Sequence, residues 1–205
     1  MKTIFIPAKI NSELNEKRIE ALKLPKNIAI AYSIQYKDIA ERVKKILSKK
    51  HKITETVQVL GCSKLKFPKE TEAILLITSG QFHAVSLAFE SKLPIYILES
   101  NELRKISEEE IYSFEKKKRA SYMKFLNSQK VGILVSTKPG QEKLKRALNL
   151  KNELKNKKSY LFISNEIDTR QFENFNMDAW INTACPRLDF EGFVFNARDL
   201  KGLEG

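Results

Sequence analysis

Ile28-Ala29-Ile30-Ala31-Tyr32, followed by Ile39, Val43, Ile46 and Leu47 along a polar background, is the stretch that decides the fold. The first five residues form an apolar run of strand length without polar alternation, so the strand they predict is buried on both faces. The four that follow recur at helical spacing on one stripe, which predicts an amphipathic helix packed back on that strand. A strand buried on both faces and followed by such a helix is the opening half of a βαβ unit in a parallel sheet.

Working outward, the same order recurs. Val57 to Leu60, Ala73 to Ile77 and Pro94 to Leu98 read as further apolar strands, with a short helix over Phe82 to Phe89. Ser107 and Glu110 stand at capping-box spacing ahead of a long helix carrying Ile111, Phe114, Tyr122, Phe125 and Leu126. A second unit opens at Lys130 to Val135, continues through a helix with Leu144, Ala147, Leu148 and Leu154, and adds strands at Tyr160 to Ile163 and Ala179 to Asn182. Upstream, Thr3 to Ile6 reads as a short strand, and Asn11 to Lys26 as a polar helix or linker closed by Pro25. The expected fold class is α/β: two Rossmann-like units with parallel sheets flanked by helices, over residues 26–128 and 129–205.

Composition agrees with a globular chain. Of 205 residues, 42% are apolar and 30% charged, with seven glycines and six prolines. The formal charge of +12 comes from 37 basic against 25 acidic residues. Most of the lysines fall on outer helix faces and read as a solvated surface, with attraction to an acidic macromolecule as the other meaning. Apolar runs such as Ala73 to Ile77 are far shorter than the roughly 18 residues a membrane span needs. Met1 to Pro7 lacks the form of a secretory signal, so a cytoplasmic protein is expected. Cys62 and Cys185 are the two cysteines, 185 − 62 = 123 positions apart, and a cytosolic chain has little use for a disulfide between them.

Polar and small residues gather just after the apolar strands, where parallel sheets place ligand sites. The segments are Ser33-Ile34-Gln35, Gly61-Cys62-Ser63, Thr78 to His83, Ser136 to Gln141 and Asn182 to Arg187. Ser79-Gly80 and Ser136-Thr137-Lys138-Pro139-Gly140 can each turn backbone N–H groups toward an anion, yet neither has P-loop spacing. His83 sits near a helix start, where a structural hydrogen bond is the commoner role, and His51 reads as solvated. Taken by spacing alone, both thiols read as buried inert cysteines, and the absence of C-x-x-C gives no support for a zinc ribbon.

In order, Ser33-Ile34-Gln35, Gln58-Val59-Leu60-Gly61-Cys62, Ser79-Gly80-Gln81-Phe82-His83, Ser136 to Gln141 and Asp178-Ala179-Trp180-Ile181-Asn182-Thr183-Ala184-Cys185-Pro186-Arg187-Leu188 resemble the diphthamide-biosynthesis enzymes. Those enzymes move a 3-amino-3-carboxypropyl group from S-adenosylmethionine to a histidine of translation elongation factor 2. The resemblance spans residues 28 to 198. It implies three homologous domains, each giving one cysteine to a [4Fe-4S] cluster whose fourth iron holds the methionine end of S-adenosylmethionine. Cys62 and Cys185 are then the second and third cluster ligands. Gln35, Ser79, Gly80, His83, Ser136, Lys138 and Gln141 are expected at the cosubstrate.

Two departures accompany the resemblance. Residues 1–25 match only an exit strand and linker of the first domain, so the expected partner is a polypeptide supplying the first domain and the third cysteine. Gln81 also stands where the family usually has arginine. The expectation is one subunit of a split [4Fe-4S] radical enzyme, with elongation factor 2 as substrate. The alternatives are a non-catalytic accessory subunit and a basic RNA- or ribosome-binding module. For the last, Tyr112, Phe114, Tyr122 and Phe125 share a helix stripe that reads as core-facing, so direct nucleic-acid binding is not expected.

Overall fold

The computed structural model describes residues 4, 6, 8–59, 65–79, 82–185 and 194–202, with 82, 83, 173, 201 and 202 by backbone alone. The chain divides into two compact units, Met1–Phe114 and Glu115–Gly205.

In the first unit, a five-stranded sheet has the order β2-β1-β3-β4-β5. β1 (Asn27–Tyr32) and β3 (Ala73–Ile77) are its central strands, apolar from Ile28 onward in β1 and throughout β3, and buried along nearly their whole length. β1 pairs in parallel with β2 (Lys52–Gln58) and with β3, and β3 in parallel with β4 (Ile95–Glu99). Two apolar layers result. Ile28, Ile30, Leu75 and Ile77 face α2 (Lys37–Leu47), whose stripe of Ile39, Val43, Ile46 and Leu47 is buried as its spacing predicts. Ala29, Ala31, Ile74 and Leu76 face the opposite layer, which includes Ala84, Leu87 and Ala88 of α3 (Phe82–Ser91).

Departures from the sequence pattern have local causes. β2 begins at Lys52 and is only half-buried, as an edge strand is, and Leu60 lies outside the described residues. The fifth strand, β5 (Glu102–Lys105), was not expected and runs antiparallel to β4. Ser100 and Asn101, at φ 48° and 67°, form the two-residue turn that joins them, the positive-φ pair a tight hairpin requires. Asn101 then clamps the amino-terminal segment, accepting from Asn15 N–H at 2.8 Å and donating to the Glu13 carbonyl at 3.0 Å. Within residues 11–26, expected as a polar helix or linker, the helical part is α1 (Glu16–Glu20), capped by the Asn15 side chain. Of the expected strand at Thr3 to Ile6, Ile4 and Ile6 are exposed and unstranded, while residues 3 and 5 lie outside the described set. His51, read as solvated, is half-buried and bonds the Pro25 carbonyl through Nδ1 at 2.8 Å.

α4 (Glu108–Asn127) contains the division between the units. Its capping box is formed: Glu110 N–H donates to Ser107 Oγ at 3.2 Å, and Ser107 N–H to the Glu110 carboxylate at 2.9 Å. Phe114 packs edge-on against Phe89, and Phe125 stacks on Phe195 at 5.9 Å. Tyr112 and Leu126, placed on the core stripe by spacing, are exposed instead. Lys157 closes the helix end, donating to the carbonyls of Leu126 and Ser128.

The second sheet has the order β7-β6-β8-β9, all parallel. Its strands are β6 (Lys130–Ser136), β7 (Lys158–Ser164), β8 (Ala179–Asn182) and β9 (Val194–Asn196), the last unforeseen. α5 (Leu144–Glu153) buries Ala147 and Leu150 on one face of the sheet but leaves Leu148 exposed. On the other face Trp180 is enclosed by Phe162, Phe172 and Met177. The α/β architecture of two parallel-rich sheets flanked by helices is the one expected. No helix among the described residues is long and apolar enough to cross a membrane.

Candidate functional site

Both sheets share one arrangement: the first strand lies between the second and the third. The chain therefore leaves the first strand toward one side and returns on the other. At such a reversal the strand ends diverge and leave a crevice at the carboxyl edge, where parallel sheets bind ligands. In the first unit the reversal lies between β1 and β3, whose last residues Tyr32 and Ile77 are register partners. Ser33 and Thr78 follow them, their hydroxyls 3.2 Å apart, and Ser33 N–H donates to the Ile77 carbonyl at 3.3 Å. This bridge places Gln35 and Ser79, both exposed, on neighbouring strand ends. Gln35 is tied down by its own carbonyl, which accepts from Ile10 N–H.

Gly80, Gln81 and Cys62 lie outside the described residues, and His83 is described only as a backbone position in α3. Val59, the last described residue before Cys62, donates its N–H to the Tyr32 carbonyl at 2.8 Å and so continues β2 past β1 at that same carboxyl edge.

In the second unit the reversal lies between β6 and β8, paired through Leu134 and Asn182. Ser136, buried at the end of β6, accepts from Lys138 N–H at 3.1 Å and donates to the Asn165 carbonyl at 3.3 Å. Lys138-Pro139-Gly140-Gln141 is a tight turn with Gln141 N–H bonded to the Lys138 carbonyl at 3.0 Å. Proline at its second position sets φ, and Gly140 at φ 78° supplies the left-handed third position, the pattern of a type II turn. Lys138 Nζ meets Glu166 at 2.8 Å, and this ammonium holds the Glu166 carboxyl below the usual carboxylate range. Glu166 had no signal in the sequence. It arrives from the end of β7 because β6 and β7 pair from Lys130↔Lys158 through Ser136↔Ser164.

Cys185 is a free, half-buried thiol three residues beyond β8. The buried Asn182 side chain donates to the Cys185 carbonyl at 2.8 Å and accepts from Ala184 N–H at 2.9 Å. Thr183 ties the segment to β6 through its hydroxyl, 2.7 Å from the Leu134 carbonyl. The structure thus brings Ser136, Lys138, Gln141 and Cys185 to adjacent strand ends of one sheet. A free, partly accessible thiol at this edge suits a soft metal centre, for which thiolate is the expected donor. Among the described residues no group of three or more His, Cys, Asp and Glu side chains is placed to hold a metal ion.

Residues at the other end of the same motif turn out to be structural. Asp178 accepts from Lys130 N–H at 2.7 Å and Gln129 N–H at 2.9 Å, and these donors depress its carboxyl. Its position two residues before the tryptophan carried no such signal, because the partners lie 48 and 49 positions away.

Comparison with known proteins adds to the geometry. The profile of the family described as "Putative diphthamide synthesis protein" matches residues 1–193. The chain is 30% identical to a 2-(3-amino-3-carboxypropyl)histidine synthase of Methanocaldococcus jannaschii, over 95% of this chain and 58% of the relative. It is 27% identical to the Pyrococcus horikoshii protein of the same name, over 93% and 60%. A Schizosaccharomyces pombe protein named as subunit 1 of that synthase is 33% identical over 68% of this chain and 34% of its own length. The chain therefore spans well under two thirds of each of these relatives. Among solved structures, Dph2 from Pyrococcus horikoshii with a 4Fe-4S cluster superposes with a TM-score of 0.71 at 25% identity, covering 84% of this chain and 55% of that one.

Proposed function

This chain belongs to the diphthamide synthesis family, and we propose that it contributes Cys62 and Cys185 as two of three thiolate ligands of a [4Fe-4S] cluster in a 2-(3-amino-3-carboxypropyl)histidine synthase. The third thiolate comes from a domain outside these 205 residues. The acceptor is a histidine of translation elongation factor 2, the donor is S-adenosylmethionine, and the work is done in the cytoplasm.

One observation carries the proposal: a free, half-buried Cys185 follows β8 at the carboxyl edge of a parallel sheet, and the neighbouring strand β6 runs at that same edge into the Ser136–Gln141 turn. When bound, the cluster supplies the electron that breaks a carbon–sulfur bond of the sulfonium. The chain's own residues bind and orient. Lys138 offers its ammonium to the carboxylate of the cosubstrate by exchanging it for Glu166, an exposed pair that is easily opened. Ser136 holds the turn in shape from beneath, and Gln141 presents a half-buried amide beside it. Gln35, Ser79, Gly80 and His83 are assigned to cosubstrate binding in the first unit on the strength of the sequence resemblance.

Anaerobic reconstitution with iron and sulfide tests the proposal, in the presence of a polypeptide carrying the first family domain. Cluster content and transfer to elongation factor 2 are expected to fall away in Cys62→Ser and in Cys185→Ser. Cluster and activity that survive both substitutions refute the ligand role and leave the chain as an accessory subunit.

A further inference from the structure

We propose that Asn182 is a positioning residue for the Cys185 thiolate, a role that rests on the ligand assignment above. Asn182 ends β8 and is 2% exposed, so its amide has to find its partners within the protein. Its Nδ2 donates to the Cys185 carbonyl and to Asn196 Oδ1, each at 2.8 Å. Its Oδ1 accepts from Ala184 N–H at 2.9 Å. A backbone N–H can only donate, so the amide has one orientation that satisfies all three bonds.

The consequence is mechanical. One side chain holds both ends of the short segment leading from β8 to the thiol, and Thr183 fixes its start to β6 by two further bonds to the Leu134 carbonyl. The rotamer of Asn182 is held in turn from β9, because the β8–β9 register makes Asn182 and Asn196 direct partners. The Asn182 amide, the Ala184 N–H and the Cys185 carbonyl are thereby engaged in the scaffold that carries the thiol. Metal centres need their donor atoms aimed within a few tenths of an ångström, and partners that orient a ligand are worth about 10- to 100-fold in metal affinity.

The test uses the full chain and two substitutions. Asn182→Asp keeps the shape and the acceptor for Ala184 N–H but faces the Cys185 carbonyl and the Asn196 amide oxygen with an oxygen. Asn196→Ala lies outside the segment and removes the partner that orients Asn182. Two readouts are followed under anaerobic conditions: cobalt(II) affinity from the thiolate-to-cobalt charge-transfer band, and the rate of Cys185 alkylation by N-ethylmaleimide, mapped by mass spectrometry.

Both variants are expected to unfold cooperatively like the parent while cobalt affinity falls about tenfold and Cys185 alkylation quickens about threefold or more. Folded variants whose affinity and alkylation rate both stay within about twofold of the parent overturn the proposal. If Asn182→Asp fails to fold, Asn196→Ala decides alone. Failure of both to fold makes the network structural and overturns it too. A parent chain that binds no cobalt through Cys185 removes the affinity readout, and the alkylation ratio then decides alone whether Asn182 positions the thiol.

Discussion

Gly132 of β6 stands directly opposite Trp180 of β8, and a Cβ on Gly132 would overlap the Cε3 and Cζ3 atoms of the indole. The glycine is therefore the floor on which the only tryptophan of the chain rests. Gly132→Ala forces the indole or the strand to move in a closely packed layer, and overpacking of this kind costs about 1–3 kcal/mol. Urea unfolding followed by far-ultraviolet circular dichroism should show the midpoint shifted down and the unfolding free energy lowered by that amount. Adding Trp180→Leu should make the alanine nearly harmless, and an unchanged midpoint in the single variant contradicts the packing.

The capping box of α4 gives a second prediction. Glu110 is held below its ordinary range first by the Ser107 backbone N–H and then by Arg104, which it binds at 3.0 and 3.1 Å. Its folded pKa lies below its unfolded one, so its stabilisation is present above the unfolded value of about 4.3 and is lost as pH falls through the folded value. Ser107→Ala should cost about 1 kcal/mol. Glu110→Gln should lower the melting temperature at neutral pH and converge with the parent in acid. A gap that persists unchanged at pH 2 would show that the charge is not its source.

Asp178 gives a third, of the same sign. Its carboxylate binds the N–H groups of Lys130 and Gln129, so Asp178→Asn weakens the start of β6 above the carboxyl's folded pKa. Hydrogen exchange is the direct measurement: the amides of Gln129 and Lys130 should exchange faster in the variant at neutral pH, while those of β1 do not change. Equal protection in both proteins counts against the clamp.

Lys138 separates binding from stability. Its pair with Glu166 is exposed, so Lys138→Ala should leave the melting temperature nearly unaltered. If Lys138 receives the cosubstrate carboxylate, S-adenosylmethionine affinity measured by calorimetry on the assembled enzyme should fall about tenfold, as for a lost charge-assisted bond. Full affinity in the alanine variant removes Lys138 from the site.

Part of this fold is legible in the sequence. β1, β3, β6 and β8 announce themselves because a strand covered on both faces must be apolar throughout. α2 does so because one stripe meets the sheet. β5 and β9 carry no such signal: Glu102-Leu103-Arg104-Lys105 is polar because it lies at an edge, and Val194-Phe195-Asn196 is too short to carry a pattern. Tyr112, Leu126 and Leu148 are exposed against expectation because helical spacing gives a stripe but does not say how wide the covered part of it is.

The site divides along the same line. Sequence alone determined that Ser33, Ser79, Ser136 and Cys185 follow apolar strands, and therefore that they gather at carboxyl edges, because parallel strands point the same way. Tertiary structure alone decided that Glu166 answers Lys138, that Asp178 secures β6, and that Asn196 orients the amide holding Cys185. Those partners come from different strands, and hydrogen bonding depends on register between strands, which leaves no periodic trace along the chain.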